Sequence, residues 1–89
     1  MGKSGSQWKQ RQQDRAAERE VTRIVAAELS RAADQRVYQA SDAARTAELA
    51  GDVIAVRVAR ADAWEFQQLA AQRRYELREA QRRAAELVT

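Results

Sequence analysis

The placement of helix-breaking residues constrains this chain more than any other feature of its sequence. There is no proline among the 89 residues, and Gly51 is the only glycine after Gly5. Glycine readily adopts the left-handed backbone conformation that ends a helix, and an aspartate such as Asp52 is a favourable cap for the next helix. The pattern predicts an all-α chain, folded as a long antiparallel helical hairpin that turns at Gly51 and assembles into a helical bundle.

The predicted organisation is a flexible leader followed by a single helical domain. Residues 1–6 are small and polar, and Ser6 can cap a helix that starts at Gln7. The domain over 7–89 is then divided into a helix over 7–50, a turn over 50–52 and a helix over 53–88. Because both helices rise by the same amount per residue, folding at Gly51 places at one level those residues of the two helices whose numbers add to about 102.

Two local alternatives accompany this prediction. Ser41 or Asp42 could cap a new helix, which would break the first helix near 38–42 and give three helices. Residues 53–58 are rich in β-branched side chains and could form a short strand that pairs two subunits. A continuous helix is favoured in both places because the helical spacing of apolar residues runs through them.

The apolar spacing in both halves approximates an eleven-residue repeat, which is typical of nearly straight helices rather than of a left-handed coiled coil. The first predicted stripe consists of Val21, Val25, Leu29, Ala32, Arg36, Ala40, Ala43, Ala47 and Ala50. The second predicted stripe consists of Ala55, Ala59, Asp62, Phe66, Ala70, Arg73, Leu77, Ala80, Ala84 and Leu87. In this helix, Phe66, Leu69 and Leu77 are predicted to anchor the core. Arg36 and Asp62 interrupt the two stripes within about one turn of each other. The side chains of Arg36 and Asp62 either form an ion pair with each other or extend separately into water.

Composition indicates that this core needs support from a partner. Apolar residues make up 45% of the chain, but alanine supplies about half of them and buries little area. The chain contains neither cysteine nor histidine, which excludes disulfides and zinc sites of the usual kind. Without disulfides or a zinc site, a domain this small is expected to be stabilised by oligomerisation.

A second face of the second helix is predicted to be a partner interface, because it combines aromatic residues and arginine. Its residues are Val53, Arg57, Arg60, Trp64, Tyr75, Arg78 and Arg82. Protein–protein contact is the favoured role, with nucleic-acid binding and a plain solvent face as alternatives. The aliphatic residues within 53–58 lie on all sides of the helix, and one partner helix cannot bury them all.

The N-terminal segment is predicted to act as a basic arm. The formal net charge of +3 is carried by the first fifteen residues, while the remainder of the chain is balanced. The second helix is too short to cover this segment, so the arm overhangs the hairpin and is available to a partner. Its candidate residues are Lys3, Trp8, Lys9, Arg11 and Arg15.

These features favour a non-enzymatic helical assembly protein. There is no histidine base, glycine-rich phosphate loop or nucleophile elbow, so no catalytic, cofactor or metal residues and no small-molecule substrate are predicted. A homo-oligomer or larger protein complex is the expected partner. The alternative is a nucleic-acid-binding accessory protein that uses the basic arm and the arginine-rich face.

Cellular context is predicted from composition alone. The chain has no apolar run long enough to cross a membrane and no signal-peptide core at its N-terminus, so a cytoplasmic location is expected. Only Lys3 and Lys9 among its 16 basic residues are lysine, a bias typical of GC-rich bacterial or phage genomes. A phage structural or accessory component, located in the virion, is consistent with that bias.

Overall fold

The chain forms two long helices that pack against each other as an antiparallel hairpin. The computed structural model describes the backbone of residues 2–86 and the side chains of residues 7–86. Helix α1 covers Gly2–Ala50 and helix α2 covers Val53–Glu86. The molecule is a rod with principal extents of 76 × 16 × 13 Å. The predicted all-α hairpin is confirmed.

The turn is built from the backbone of the six residues 47–52 around Gly51. Gly51 has a φ of 71°, and its amide donates to the carbonyl of Glu48 at 3.1 Å. The amide of Asp52 donates to the carbonyl of Ala47 at 3.0 Å. These two bonds form a Schellman motif, which satisfies the last carbonyl groups of α1 and requires a left-handed residue at the position of Gly51.

Asp52 then starts the second helix, as the sequence predicts. Its Oδ1 accepts a hydrogen bond from the amide of Ala55 at 3.0 Å, and its carbonyl accepts from the amide of Val56 at 3.0 Å. The cap satisfies amides at the first turn that have no partner within the helix. Residues 53–58 are therefore helical, and the alternative of a strand is wrong.

Helix α1 begins at Gly2, five residues before the predicted start at Gln7. Ser6 thus lies within the helix instead of capping it. Once a helix exists, each added residue gains a hydrogen bond, and the leader contains no proline to stop its extension. The same continuity holds across 38–42, so the alternative of three helices is not realised.

The buried seam between the helices follows a seven-residue repeat. In α1 the least exposed positions are separated by alternating steps of four and three residues: Arg19, Arg23, Ala26, Ser30, Ala33, Val37, Ala40, Ala44 and Ala47. In α2 they are Val56, Ala59, Ala63, Phe66, Ala70, Arg73, Leu77, Ala80 and Ala84. This spacing is typical of a coiled coil, so the eleven-residue repeat predicted for the apolar stripes is wrong. The stripe predicted for the second helix nevertheless coincides with the seam at Ala59 and from Phe66 to Ala84, whereas the stripe predicted for the first helix meets it only at Ala40 and Ala47.

The seam consists largely of small side chains, and this explains the shift. All the residues that count as buried are alanines, apart from Ser30. Helices approach most closely where the contact positions are small, so alanine columns are buried in preference to the larger residues beside them. Val21, Val25 and Leu29 consequently lie at the edge of the seam, and Leu69 is exposed rather than an anchor. Phe66 and Leu77 are half-buried.

Replacing Gly51 tests the turn. A Cβ at this position would meet no atom within 4 Å, so the cost of Gly51→Ala comes only from its left-handed backbone. We expect the free energy of unfolding to fall by about 1–2 kcal/mol. Gly51→Asn should lose less, because asparagine tolerates this conformation better. Chemical denaturation followed by circular dichroism measures both, and equal losses for the two variants would contradict the backbone explanation.

Replacing two neighbouring alanines tests the seam. Ala70 is only 1% exposed, whereas Ala71 lies outside the seam. Ala70→Leu overpacks the contact between the helices and should destabilise the hairpin by about 1–3 kcal/mol. Ala71→Leu serves as the matched control and should change stability by less than about 0.5 kcal/mol. Thermal unfolding of both variants at one protein concentration is the measurement, and an unaffected Ala70→Leu variant would rule out this seam.

Candidate interaction surfaces

One lateral side of the hairpin is closed by ion pairs between the helices, and we call it the charged side. Arg74 Nη1 lies 2.9 Å from Asp34 Oδ1, and Arg60 pairs with Glu48. On each helix these residues are fourteen positions apart, which is two coiled-coil repeats, so both pairs lie along the same side of the seam. Such exposed pairs add little stability but select partner and register.

The opposite lateral side, which we call the open side, is apolar at the free end of the hairpin. It forms a groove of about 860 Å³. Val21, Val25 and Leu29 of α1 and Tyr75 and Ala80 of α2 line the groove. Val21 and Tyr75 are each 59% exposed. Large apolar side chains that remain this exposed in a concave surface are typical of a contact site.

Charged residues surround the groove in balanced number. They are Arg19, Arg82 and Arg83 together with Glu76, Glu79 and Glu86. Arg82 lies 2.8 Å from Glu79 and 2.5 Å from Glu86, and Arg73 lies 2.9 Å from Glu76. The rim is therefore polar but internally neutralised, and the apolar residues dominate what a partner would meet.

These pairs also set the titration of the rim. The hydrogen bond from Arg73, and then one from Gln72, lower the pKa of Glu76, while the hydrogen bond from Arg82 lowers the pKa of Glu79. Partnership with Glu79 in turn raises the pKa of Arg82. Because the glutamate pKa values are lowered in the folded chain, any stability from these pairs is complete above the ordinary glutamate pKa. It is lost as the pH falls through the lowered values.

Arg36 and Asp62 lie on the open side but do not pair with each other. Arg36 is one coiled-coil repeat from Leu29, and Asp62 is two repeats from Glu76, so each shares a column with a groove residue. The guanidinium of Arg36 lies 5.5 Å from the ring centroid of Phe66, a cation–π arrangement. Within residues 7–86, neither Arg36 nor Asp62 forms an ion pair.

The helices keep the predicted register over the whole hairpin. Arg36 and Phe66, which are in contact, have numbers that add to 102. The same holds at the free end, where Arg19 Nη1 donates to the carbonyl of Arg83 at 3.1 Å. This constant register fixes which residues of α1 and α2 lie at the same level along the rod.

The predicted interface residues of α2 all lie on its exposed side, but they do not all line one depression. Val53, Arg57 and Arg60 line a shallow depression beside the turn, together with Glu48. Tyr75 and Arg82 belong to the groove. Trp64 is 63% exposed, and Arg78 is exposed as well. In the described part of the chain, neither Arg57 nor Arg78 has an ion-pair partner.

The predicted basic arm is a helical overhang. The described part of α2 ends at Glu86, and α1 continues past that level to Gly2. Trp8, Lys9, Arg11 and Arg15 are all exposed, and none of the three cations has an acidic partner in the described residues. Trp8, Arg11 and Arg15 recur at helical spacing and share one face. The side chain of Lys3 lies outside the described residues.

Sequence analysis missed the groove because it assigned Val21, Val25 and Leu29 to the hairpin core. The signal that would have found it is the alanine column of α1. Alanine recurs at every seventh position, at 26, 33, 40 and 47. A repeated small residue marks the line of closest approach between two helices and leaves the larger stripe beside it uncovered.

Three further observations bear on function. Neither helix contains, among the described residues, a stretch long and apolar enough to cross a membrane. The described residues also contain no group of three acidic side chains arranged to hold a metal ion. Comparisons with protein-family models, curated proteins and solved structures found no match to this chain. The proposals below therefore depend on the geometry and chemistry of its own residues.

Proposed function

We propose that this chain is a non-enzymatic helical assembly protein, which self-associates or docks into a larger complex. One observation carries the proposal: the hairpin buries small residues and leaves most of its large apolar residues exposed. The buried residues are alanines and one serine. Among the described residues, thirteen large apolar side chains are exposed, including Val53, Trp64 and Tyr75.

Two helices can cover only one stripe on each other, so the remaining apolar residues require further helices. Exposed apolar side chains are found on both sides of the hairpin turn, with Leu49 at 85% and Ile54 at 77% exposure. They also line the groove at the free end. Apolar surface at both ends of a rod supports packing along its length rather than capture of a small ligand.

Composition supports a bacterial or phage setting for such an assembly, because arginine greatly outnumbers lysine and alanine is abundant. The proposed role is a structural or accessory component, in the cytoplasm or, if phage-encoded, in the virion. Helical hairpins that bundle with copies or partners suit such a role because their long faces repeat regularly.

The first test is the solution mass of the chain with and without its exposed aromatic residues. The wild-type chain should exceed its monomer mass of 10.1 kDa in light scattering, in a manner that depends on concentration. The double variant Trp64→Ala, Tyr75→Ala should weaken self-association by about tenfold or more, since exposed aromatics are frequent interface anchors. Helicity should remain unchanged, because both side chains lie outside the seam.

Tyr38→Ala is the matched control for this experiment. Tyr38 is 74% exposed on α1 and lines neither the groove nor the depression beside the turn. Its removal should leave the mass unchanged. If the Trp64, Tyr75 double variant also keeps the wild-type mass, these residues do not form the interface. If the double variant does dissociate, the two single variants show whether Tyr75, which lines the groove, or Trp64, which does not, makes the contact.

A second function, nucleic-acid binding, is favoured by the overhang of α1. Trp8, Arg11 and Arg15 share one exposed face on which no other helix of the described chain packs. Arginines can contact phosphates, and a tryptophan can stack on an unpaired base. In this alternative, the arm binds nucleic acid while the hairpin body supports it.

Salt dependence tests this alternative. Affinity for single-stranded DNA should fall steeply between about 50 and 200 mM salt, because neutralised phosphates release counterions. Replacing Lys9, Arg11 and Arg15 with glutamine should remove most of the binding in fluorescence anisotropy. Arg31→Gln with Arg45→Gln, which changes exposed arginines of α1 outside the arm, is the control. Affinity that is indifferent to salt would exclude this function.

A further inference from the structure

We propose that the open side of the hairpin is the interface with a second copy of this chain, and that the two hairpins pack antiparallel about a two-fold axis to form a four-helix bundle. This inference rests on the self-association proposed above and specifies its surface and geometry. Three features of the structure support it: the contrast between the two lateral sides, the complementary ends of the open side, and an unpaired cation and anion near its middle.

The two lateral sides differ in what they leave uncovered. On the charged side, the pairs Arg74 with Asp34 and Arg60 with Glu48 bridge the helices and shield the seam. No bridge between charged side chains crosses the open side within residues 7–86. The stripe that contains Val21, Val25 and Leu29 lies there instead. A further helix pair can therefore approach the open side without displacing an ion pair that bridges α1 and α2.

The ends of the open side complement each other. Its free end is the groove, and its turn end carries Ile54 and Val58, which are 77% and 56% exposed. Ile54 is three coiled-coil repeats from Tyr75, and Val58 is three repeats from Glu79, so both share columns with groove residues. An antiparallel arrangement places the turn end of one copy at the groove of the other. The aliphatic side chains of each copy then fill the groove of its neighbour.

The paired part of the hairpin determines where the two-fold axis lies. Contact between the helices runs from Arg19 at the free end to the turn at Gly51. The middle of this length falls close to Arg36, at the level of Phe66. Two copies that overlap fully must therefore place their axis beside Arg36. The groove and the turn end lie at similar distances on either side of that level, as the antiparallel arrangement requires.

This axis also brings an unpaired cation near an unpaired anion. Asp62 lies about one turn from Arg36 along the rod, toward the hairpin turn. A two-fold axis beside Arg36 brings the two copies of Arg36 near each other, so each needs an anion close by. The same axis places Asp62 of the second copy about one turn away in the opposite direction. Each Arg36 can then pair with Asp62 of the other copy, and symmetry makes two such pairs. Arg36 and Asp62, which interrupt the apolar residues of the open side, thus fix the register between the two copies.

The charge balance favours a second copy over nucleic acid as the occupant of the open side. A two-fold interface joins a surface to itself, so any excess of one sign would repel its own copy. The groove carries three arginines and three glutamates, and Arg36 and Asp62 add one of each. A surface with this balance neither attracts a polyanion nor repels itself.

Charge reversal in separate chains tests the proposal. Arg36→Asp and Asp62→Arg each place like charges across the interface, and each variant alone should self-associate at least about tenfold more weakly than the wild type. Mixing the two variants should restore association, because each reversed charge then meets an opposite charge on the other chain. Native mass spectrometry resolves the mixed dimer from either parent by its mass. Circular dichroism of each variant confirms that the hairpin remains helical.

Mixing the Arg36→Asp and Asp62→Arg variants shows whether Arg36 and Asp62 interact between two chains or within one chain. If Arg36 and Asp62 act only within a chain, mixing cannot repair either variant, and failure to form the mixed dimer overturns the proposal. An oligomeric wild type whose single variants keep full association overturns the open-side interface but leaves self-assembly standing. A wild type that stays monomeric up to millimolar concentration overturns both this interface and self-association.

A second substitution keeps the test independent of the central charges. Val58→Glu introduces a charge at an exposed site on the turn end, where the hairpin itself tolerates it. It should dissociate the dimer if this end enters the groove of the other copy. Tyr38→Glu introduces the same charge at a 74% exposed site away from the open side and should leave the mass unchanged. Equal masses for Val58→Glu and the wild type would also overturn the arrangement.

Discussion

The close contact of alanine and serine along the seam is the constraint on which the rest of this structure depends. Small side chains bury little area each, so the hairpin obtains its stability from a long line of weak contacts. A seam of this kind also selects the rotation of both helices about their axes. With the alanine columns turned inward, the valine and leucine stripe of α1 must lie beside the seam, where a two-helix structure cannot bury it.

That rotation gives the two lateral sides their different chemistry. One side receives the carboxylates of α1 and the arginines of α2, which pair across the seam at two levels. The other side receives aliphatic residues, Tyr75 and a balanced set of charges. A hairpin with one sealed and one open side has a defined direction in which to add further helices. The assembly proposed above would thus follow from which residue type occupies the closest contact between the helices.

The hairpin and its turn could be predicted from the sequence, because they depend on local backbone chemistry at Gly51 and Asp52. The rotation of α1 could not be predicted in the same way, whereas the stripe predicted for α2 matches the seam from Phe66 to Ala84. Both the seven-residue and the eleven-residue patterns pass through Ala40 and Ala47, and ranking residues by hydrophobicity favours Val25 over Ser30. Burial in α1 instead follows size at the contact, where the buried residues are alanines and Ser30. Trp64 and Tyr75 share the exposed side of α2, but only Tyr75 lines the groove, whose position depends on the rotation of α1.

The basic overhang and the open side have opposite electrostatic character, so they suit different partners. In the antiparallel arrangement proposed here, the two bodies overlap while each copy of α1 continues beyond its own α2. The overhangs would then project from opposite ends of one rod, each presenting Trp8, Arg11 and Arg15. Two basic ends held at a fixed separation bind a long polyanion or an acidic protein array more tightly than one end can, because the second contact forms at high effective concentration. The net positive charge of the chain would thereby lie at the two ends of the proposed rod, away from the neutral open side that forms its interface.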